Sequence, residues 1–177
     1  MLLFVLINYN SLYINLQNYY FYVCIVQRCN GIAAWKYFPW YNWYDHYENK
    51  ELKRVAYNKT RNDTILRVAF HSTLAQFLHA GCGVWYIKFS GNECTQPAPI
   101  RTTVYADHSN GASGWTTIPT ELSGFCDATS ASSIKTGPVV ISVHVRKCSS
   151  AGANVYTGRL GSGSAVTSFI TVEEYCR

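Results

Sequence analysis

The sequence predicts an all-β fold, an antiparallel two-sheet sandwich stapled by disulfides. Three observations carry the prediction. Several segments place an apolar residue at every second position, clusters of Gly, Ser, Asn and Asp separate them, and four cysteines lie beside them. Residues 64–70 (TILRVAF) put Leu66, Val68 and Phe70 on one face and Ile65, Arg67 and Ala69 on the other. Residues 84–89 (VWYIKF) form an aromatic-rich strand that ends at Ser90-Gly91-Asn92. Residues 100–106 alternate Ile100, Thr102 and Val104 with Arg101, Thr103 and Tyr105. A turn cluster over 107–114 leads to a short strand over 115–118. Residues 138–145 align Val139, Ile141, Val143 and Val145 against Val140, Ser142 and His144, and residues 165–172 align Val166, Ser168, Ile170 and Val172. The best helix candidate, residues 72–80, is short and stops at Gly81. Strands without a convincing amphipathic helix pack as two sheets.

Composition narrows the class further. Hydrophobic residues make up 48% of the 177 and charged residues 14%, which excludes a disordered charged tail. Twelve glycines leave no room for a collagen repeat. The net charge of +5 is far from that of a nucleic-acid-coating protein, and no nucleic-acid partner is expected. Residues 1–27 carry no Lys, Arg, Asp, Glu or His. Asn8, Asn10, Asn15 and Asn18 interrupt their apolar run, so no stable membrane span is expected. A weak secretion signal, a membrane anchor and translated non-coding sequence all stay open. The chain divides into an N-terminal segment, residues 1–30, uncharged as far as Gln27, and a head domain over residues 31–177.

Seven cysteines suit a secreted chain better than a cytosolic one. Cys82 and Cys94 bracket one strand, Cys126 and Cys148 another, and the expected bridges are Cys82–Cys94 and Cys126–Cys148. Cys24, Cys29 and Cys176 are left unassigned, one of them a candidate for an interchain link. No Cys-x-x-Cys or His pattern holds a metal, and no cofactor is expected. Asn58-Lys59-Thr60 and Asn62-Asp63-Thr64 are glycosylation sequons in a polar stretch before the first clear strand. Residues 35–47 (WKYFPWYNWYDHY) contain eight aromatics. They read as a strand and turn covering a core edge, or as a ligand platform.

Catalytic motifs fail on context, and no enzyme is expected. Asp107-His108-Ser109 holds the residue types of a hydrolase triad, but adjacent side chains cannot form the relay. Ser132-x-x-Lys135 and Lys135-Thr136-Gly137 share one lysine, whereas the matching acyl-enzyme motifs sit on separate elements. The glycine run over 158–163 enters a strand, not a helix, and reads as a loop. Glu173-Glu174 reads as a pair of solvated terminal charges.

Several blocks resemble the C-terminal domain of the collagen triple helix repeat-containing protein 1 family. They are residues 82–94 (CGVWYIKFSGNEC), 97–100 (PAPI) leading into Val104-Tyr105-Ala106-Asp107, then Gly124-Phe125-Cys126, Val145-Arg146-Lys147-Cys148 and residues 168–174. The resemblance spans about residues 35–175 and is strongest from Leu66 onward. It implies a secreted, glycosylated, C1q/TNF-like jelly-roll head of the extracellular matrix or cell surface, tending to form homotrimers. It also implies partners in a Wnt ligand–receptor complex, chiefly in planar polarity, or among matrix components including collagen. The family carries further cysteines near Phe38 and Ala56 and a collagen segment upstream, and this chain has neither. The head alone would then have to associate, with Trp35, Trp40, Trp43 and Tyr44 as candidate interface aromatics. A C1q-like lectin of carbohydrate- or pattern-binding type is the alternative.

Overall fold

The computed structural model describes residues 5–8, 11–16, 19–23, 31–41, 44–46, 50–77, 81–106, 115–148, 154–157, 159–160, 164–165 and 167–177, and their regular elements are all β-strands. Residues 1–30 and 31–177 form separate units. In the first, β1 (Val5–Asn8), β2 (Ser11–Leu16) and β3 (Tyr19–Val23) pair as an antiparallel meander.

The head begins with β4 (Ile32–Trp40), β5 (Tyr44–His46), β6 (Lys50–Lys59) and β7 (Thr64–Phe77). Next come β8 (Gly81–Phe89), β9 (Asn92–Pro97), β10 (Arg101–Ala106), β11 (Trp115–Thr129) and β12 (Gly137–Lys147). The short β13 (Asn154–Thr157), β14 (Arg159–Leu160) and β15 (Ser164–Ala165) precede β16 (Ser168–Cys176). One layer runs β4–β16–β7–β11, with β13 beside the far end of β7 and β5 beside β13. The other runs β10–β8–β12–β6. β9 pairs with both β8 and β11 and so joins the layers along one side. The result is a disulfide-stapled, jelly-roll-like sandwich.

Alternation decides what fills it. Leu66, Val68 and Phe70 of β7 and Ile170 and Val172 of β16 face Trp85, Ile87 and Phe89 of β8 and Val139, Ile141, Val143 and Val145 of β12. Each such side chain, buried against the opposite layer, contributes about 1.5–3 kcal/mol. Trp85 is fully enclosed, and its indole N–H donates to Thr157 Oγ1 at 2.7 Å. The β8–β9 turn is a two-residue loop in which Ser90 and Gly91 both have positive φ (48° and 89°), the twist that suits a tight hairpin. Gly124 meets a different demand: a Cβ there would lie 2.9 Å from Ile100 Cγ1.

Five expectations are corrected. Residues 72–77 continue β7 as strand instead of opening a helix. They pair with β11 and β13, and Ser72 Oγ meets Ser168 Oγ at 2.8 Å, so pairing on both sides overrides local propensity. The stretch holding Asn58 is the edge strand β6, and the short strand at 115–118 runs on to Thr129. Within the glycine run, Arg159–Leu160 pairs with Ser164–Ala165. The bridges are Cys82–Cys148 and Cys94–Cys126, with Cα atoms 5.3 and 5.7 Å apart. Cys94 lies about five strand residues from Cys82 along the hairpin, roughly 16 Å at the strand rise, beyond disulfide reach. Cys148 instead ends β12 beside Cys82, its N–H donating to the Cys82 carbonyl at 2.9 Å. Cys126 and Cys94 lie on the paired β11 and β9. Cys176 is disulfide-bonded as well.

Candidate interaction surface

Every second residue of β4, β16, β7 and β11 points away from the core. The register sets Trp35 beside Glu173 and Arg67, Tyr37 beside Thr171 and Ala69, and Pro39 beside Phe169 and His71. This outer face carries rings at its margins. Tyr37 packs on Phe169 at 5.1 Å between ring centroids, Phe169 stacks on His71 at 4.3 Å, and Phe125 meets Tyr175 edge-on at 5.5 Å. At its middle Arg67 donates to Glu173 and to Glu121, each at 3.0 Å. Trp35 is 68% exposed and Tyr37 45%, so the face presents large apolar groups around an ion-paired centre.

Of the candidate aromatics, Trp35 alone is shown on this face. Trp40 is corrected: it is 9% exposed, stacked on Phe70 at 5.7 Å, with Lys53 Nζ 5.6 Å from its ring. Its inward register follows from pairing with Ser168, itself buried. Trp43 lies outside the described residues. Tyr44 begins β5, and only its backbone is described. Asp107, His108 and Ser109 are also outside them.

The sequons lead to a site that sequence reasoning missed. Asn58 and Asn62 are both exposed, and the Asn62 side-chain carbonyl accepts from the Thr136 N–H at 3.0 Å. Their partner threonines converge on Glu174. Thr60 Oγ1 donates to Glu174 Oε2 at 2.8 Å, and Thr64 Oγ1 to Oε1 at 2.6 Å. The backbone N–H groups of Thr60 and Arg61 donate at 2.9 and 2.8 Å, and Tyr57 O–H at 3.3 Å. Glu174 is fully buried, so its expected place among solvated terminal charges is corrected. Burial would raise its pKa, but the threonine and backbone donors outweigh that and hold it below the usual carboxylate value. Burial, with Glu174 adding to it, pushes the Tyr57 hydroxyl up to about 12. Burial lowers the Lys59 ammonium, which donates to the Arg61 carbonyl. This cradle ties β6 to β16 on the side of the sandwich opposite β9. The period-two pattern could have found it, since 174 continues the inward series 168, 170, 172.

The surface and its cradle hold no catalytic constellation, and among the described residues no group of three or more His, Cys, Asp or Glu could hold a metal. Phe38 and Ala56, where the resembling family has cysteines, fall on β4 and β6, the edge strands of the two layers. The family model described as the CTHRC1 C-terminal domain matches residues 31–170, the sandwich from its first strand into its last. That family is associated with the extracellular matrix and is not a known enzyme family. The chain therefore belongs to the CTHRC1 family through its C-terminal domain.

Proposed function

We propose that this chain is the head of a secreted glycoprotein of the matrix or cell surface, one that self-associates as a homotrimer and binds a Wnt ligand–receptor complex or matrix collagen. The exposed aromatic face built on β4 and β16 carries the reading. Trp35, Tyr37 and Phe169 offer rigid, large-area anchors, and burying them between copies removes them from water without breaking a core contact. Arg67, already held by two carboxylates, enters such an interface as a satisfied group. Disulfides within the head fit an oxidising compartment. Membership of a family not known for enzymes supports recognition as the head's task, acting by holding ligand and receptor together.

The test joins mass to activity. Light scattering on the purified head should give the mass of three chains, and Trp35→Ala with Tyr37→Ala should reduce it to one. On cells carrying planar-polarity receptors, wild-type head should increase retained Wnt ligand and the double variant should not. A monomeric wild type at micromolar concentration would exclude the trimer. Unchanged ligand retention by the trimeric wild type would exclude the Wnt assignment, and glycan-array binding in its place would favour the lectin.

A further inference from the structure

The second layer also has an outer face, and its chemistry is different. Register places Arg101, Tyr86, His144 and Glu51 in one row across β10, β8, β12 and β6. The next row sets Glu93, Lys88, Ser142 and Arg54 side by side, and Val84 lies beside Arg146. Tyr86 acts as a pedestal for this cluster. Lys88 Nζ lies 5.7 Å and Arg146 Cζ 5.5 Å from its ring, and His144 stacks on it at 5.3 Å. Among the described residues Lys88, Arg101 and Arg146 form no ion pair, while Arg54 is held by Glu51 at 2.8 and 3.0 Å. Lys88 and Arg54 line an open groove of about 520 Å³ together with Val140, Ser142, His144 and the Glu51 carboxylate that Arg54 holds. Burial holds the His144 pKa below its ordinary value, and Lys88 and Arg54 add to that against Glu51 and Glu93.

We propose that this face binds a sulfated glycosaminoglycan, its sulfates resting on Lys88, Arg101 and Arg146 and in the Ser142 groove. The argument is charge complementarity on a rigid scaffold. Strands about 4.8 Å apart hold the cations in a fixed array, and a flexible linear polyanion can lay successive sulfates along it. A single-stranded nucleic acid fits less well, because the Tyr86 ring is 8% exposed under the cations and the exposed ring of Tyr105 stands at the far end of β10, so a run of bases finds no succession of stacking surfaces. A membrane also fits less well, since charged groups wall the groove and its apolar lining residue, Val140, is half-buried between them. The proposal does not depend on the trimer or on Wnt binding, because the aromatic face belongs to the other layer.

The test is affinity for immobilised heparin, read against sodium chloride. Wild-type head should be retained at 0.15 M salt and should not be retained on hyaluronan, which carries carboxylates without sulfates. The combined Lys88→Ala, Arg101→Ala and Arg146→Ala variant should bind about tenfold or more weakly, with a shallower salt dependence. Lys36→Ala with Lys135→Ala, at positions away from this face, should change nothing. Glu51→Gln should tighten binding severalfold by releasing Arg54, a gain that misfolding cannot imitate. The proposal is overturned by wild type that passes through heparin at 0.05 M salt, by equal loss in the Lys36/Lys135 control, or by equal retention on hyaluronan. Stronger capture by phosphatidylserine vesicles or by single-stranded DNA than by heparin would overturn it too.

Discussion

The two outer faces of the sandwich are built alike and look nothing alike. Both consist of every second residue on four antiparallel strands. One carries Trp35, Tyr37, Phe169, Tyr175 and Phe125 around an arginine held between two carboxylates. The other carries Lys88, Arg101 and Arg146 around a covered tyrosine. The contrast shows that the shared inward pattern fixes the fold while the outward pattern is free to vary. One domain can then hold a protein-binding face and a polyanion-binding face without either disturbing the core.

Breaking what both faces share should have the largest effect. Cys94–Cys126 sits at the β9 seam with both cysteines fully buried, and replacing the pair by alanine should cost about 4 kcal/mol in denaturant unfolding from the lost loop constraint. Glu174→Gln should follow at about 2–3 kcal/mol, because its new amide protons oppose donors already aimed at the carboxylate. The acid limb of stability tests the same group. A carboxyl whose folded pKa lies below its unfolded one contributes fully above the unfolded value, near 4.5, and loses that contribution as pH falls through the folded value. Wild type should therefore lose stability below about pH 4.5, and Glu174→Gln should show a flatter limb there.

A finer comparison separates sugar from scaffold. Thr60→Ala removes both a sequon and a Glu174 donor and should cost about 1–3 kcal/mol even in unglycosylated protein. Asn58→Gln removes the sequon alone, at an exposed position, and should stay within about 0.5 kcal/mol of the unglycosylated wild type. The smallest stability effect belongs to Trp35→Ala with Tyr37→Ala, also within about 0.5 kcal/mol for the isolated head, although its association should change most.

Much of the fold could be read from the residues because alternation is local. Leu66, Val68 and Phe70, and Val139 through Val145, declare their inward face within a few positions. The cysteine partners could not be read that way. Flanking a strand says which cysteines are near it in sequence, whereas bridging requires strands that are neighbours in space, and Cys82 meets Cys148 across 66 residues. The cation cluster was hidden for the same reason. Arg54, Lys88, Arg101 and Arg146 lie far apart in the chain, and antiparallel register assembles them. Trp40 misled in the opposite direction, because an aromatic-rich run looks like a surface platform until one member is seen to be a core residue.

The shared use of Thr60 and Thr64 sets a clock. Glycan transfer to an Asn-x-Thr acceptor uses the threonine hydroxyl, and here the Thr64 hydroxyl is buried against the carboxylate made 110 residues later, while the exposed Thr60 donates its hydroxyl to the same carboxylate, 114 residues on. At common synthesis rates that interval is on the order of 5–20 s. A sugar on Asn62 would therefore have to be attached while the C-terminal strand is still being made or has yet to dock, whereas the Asn58 sequon, with Thr60 exposed, is under a weaker constraint.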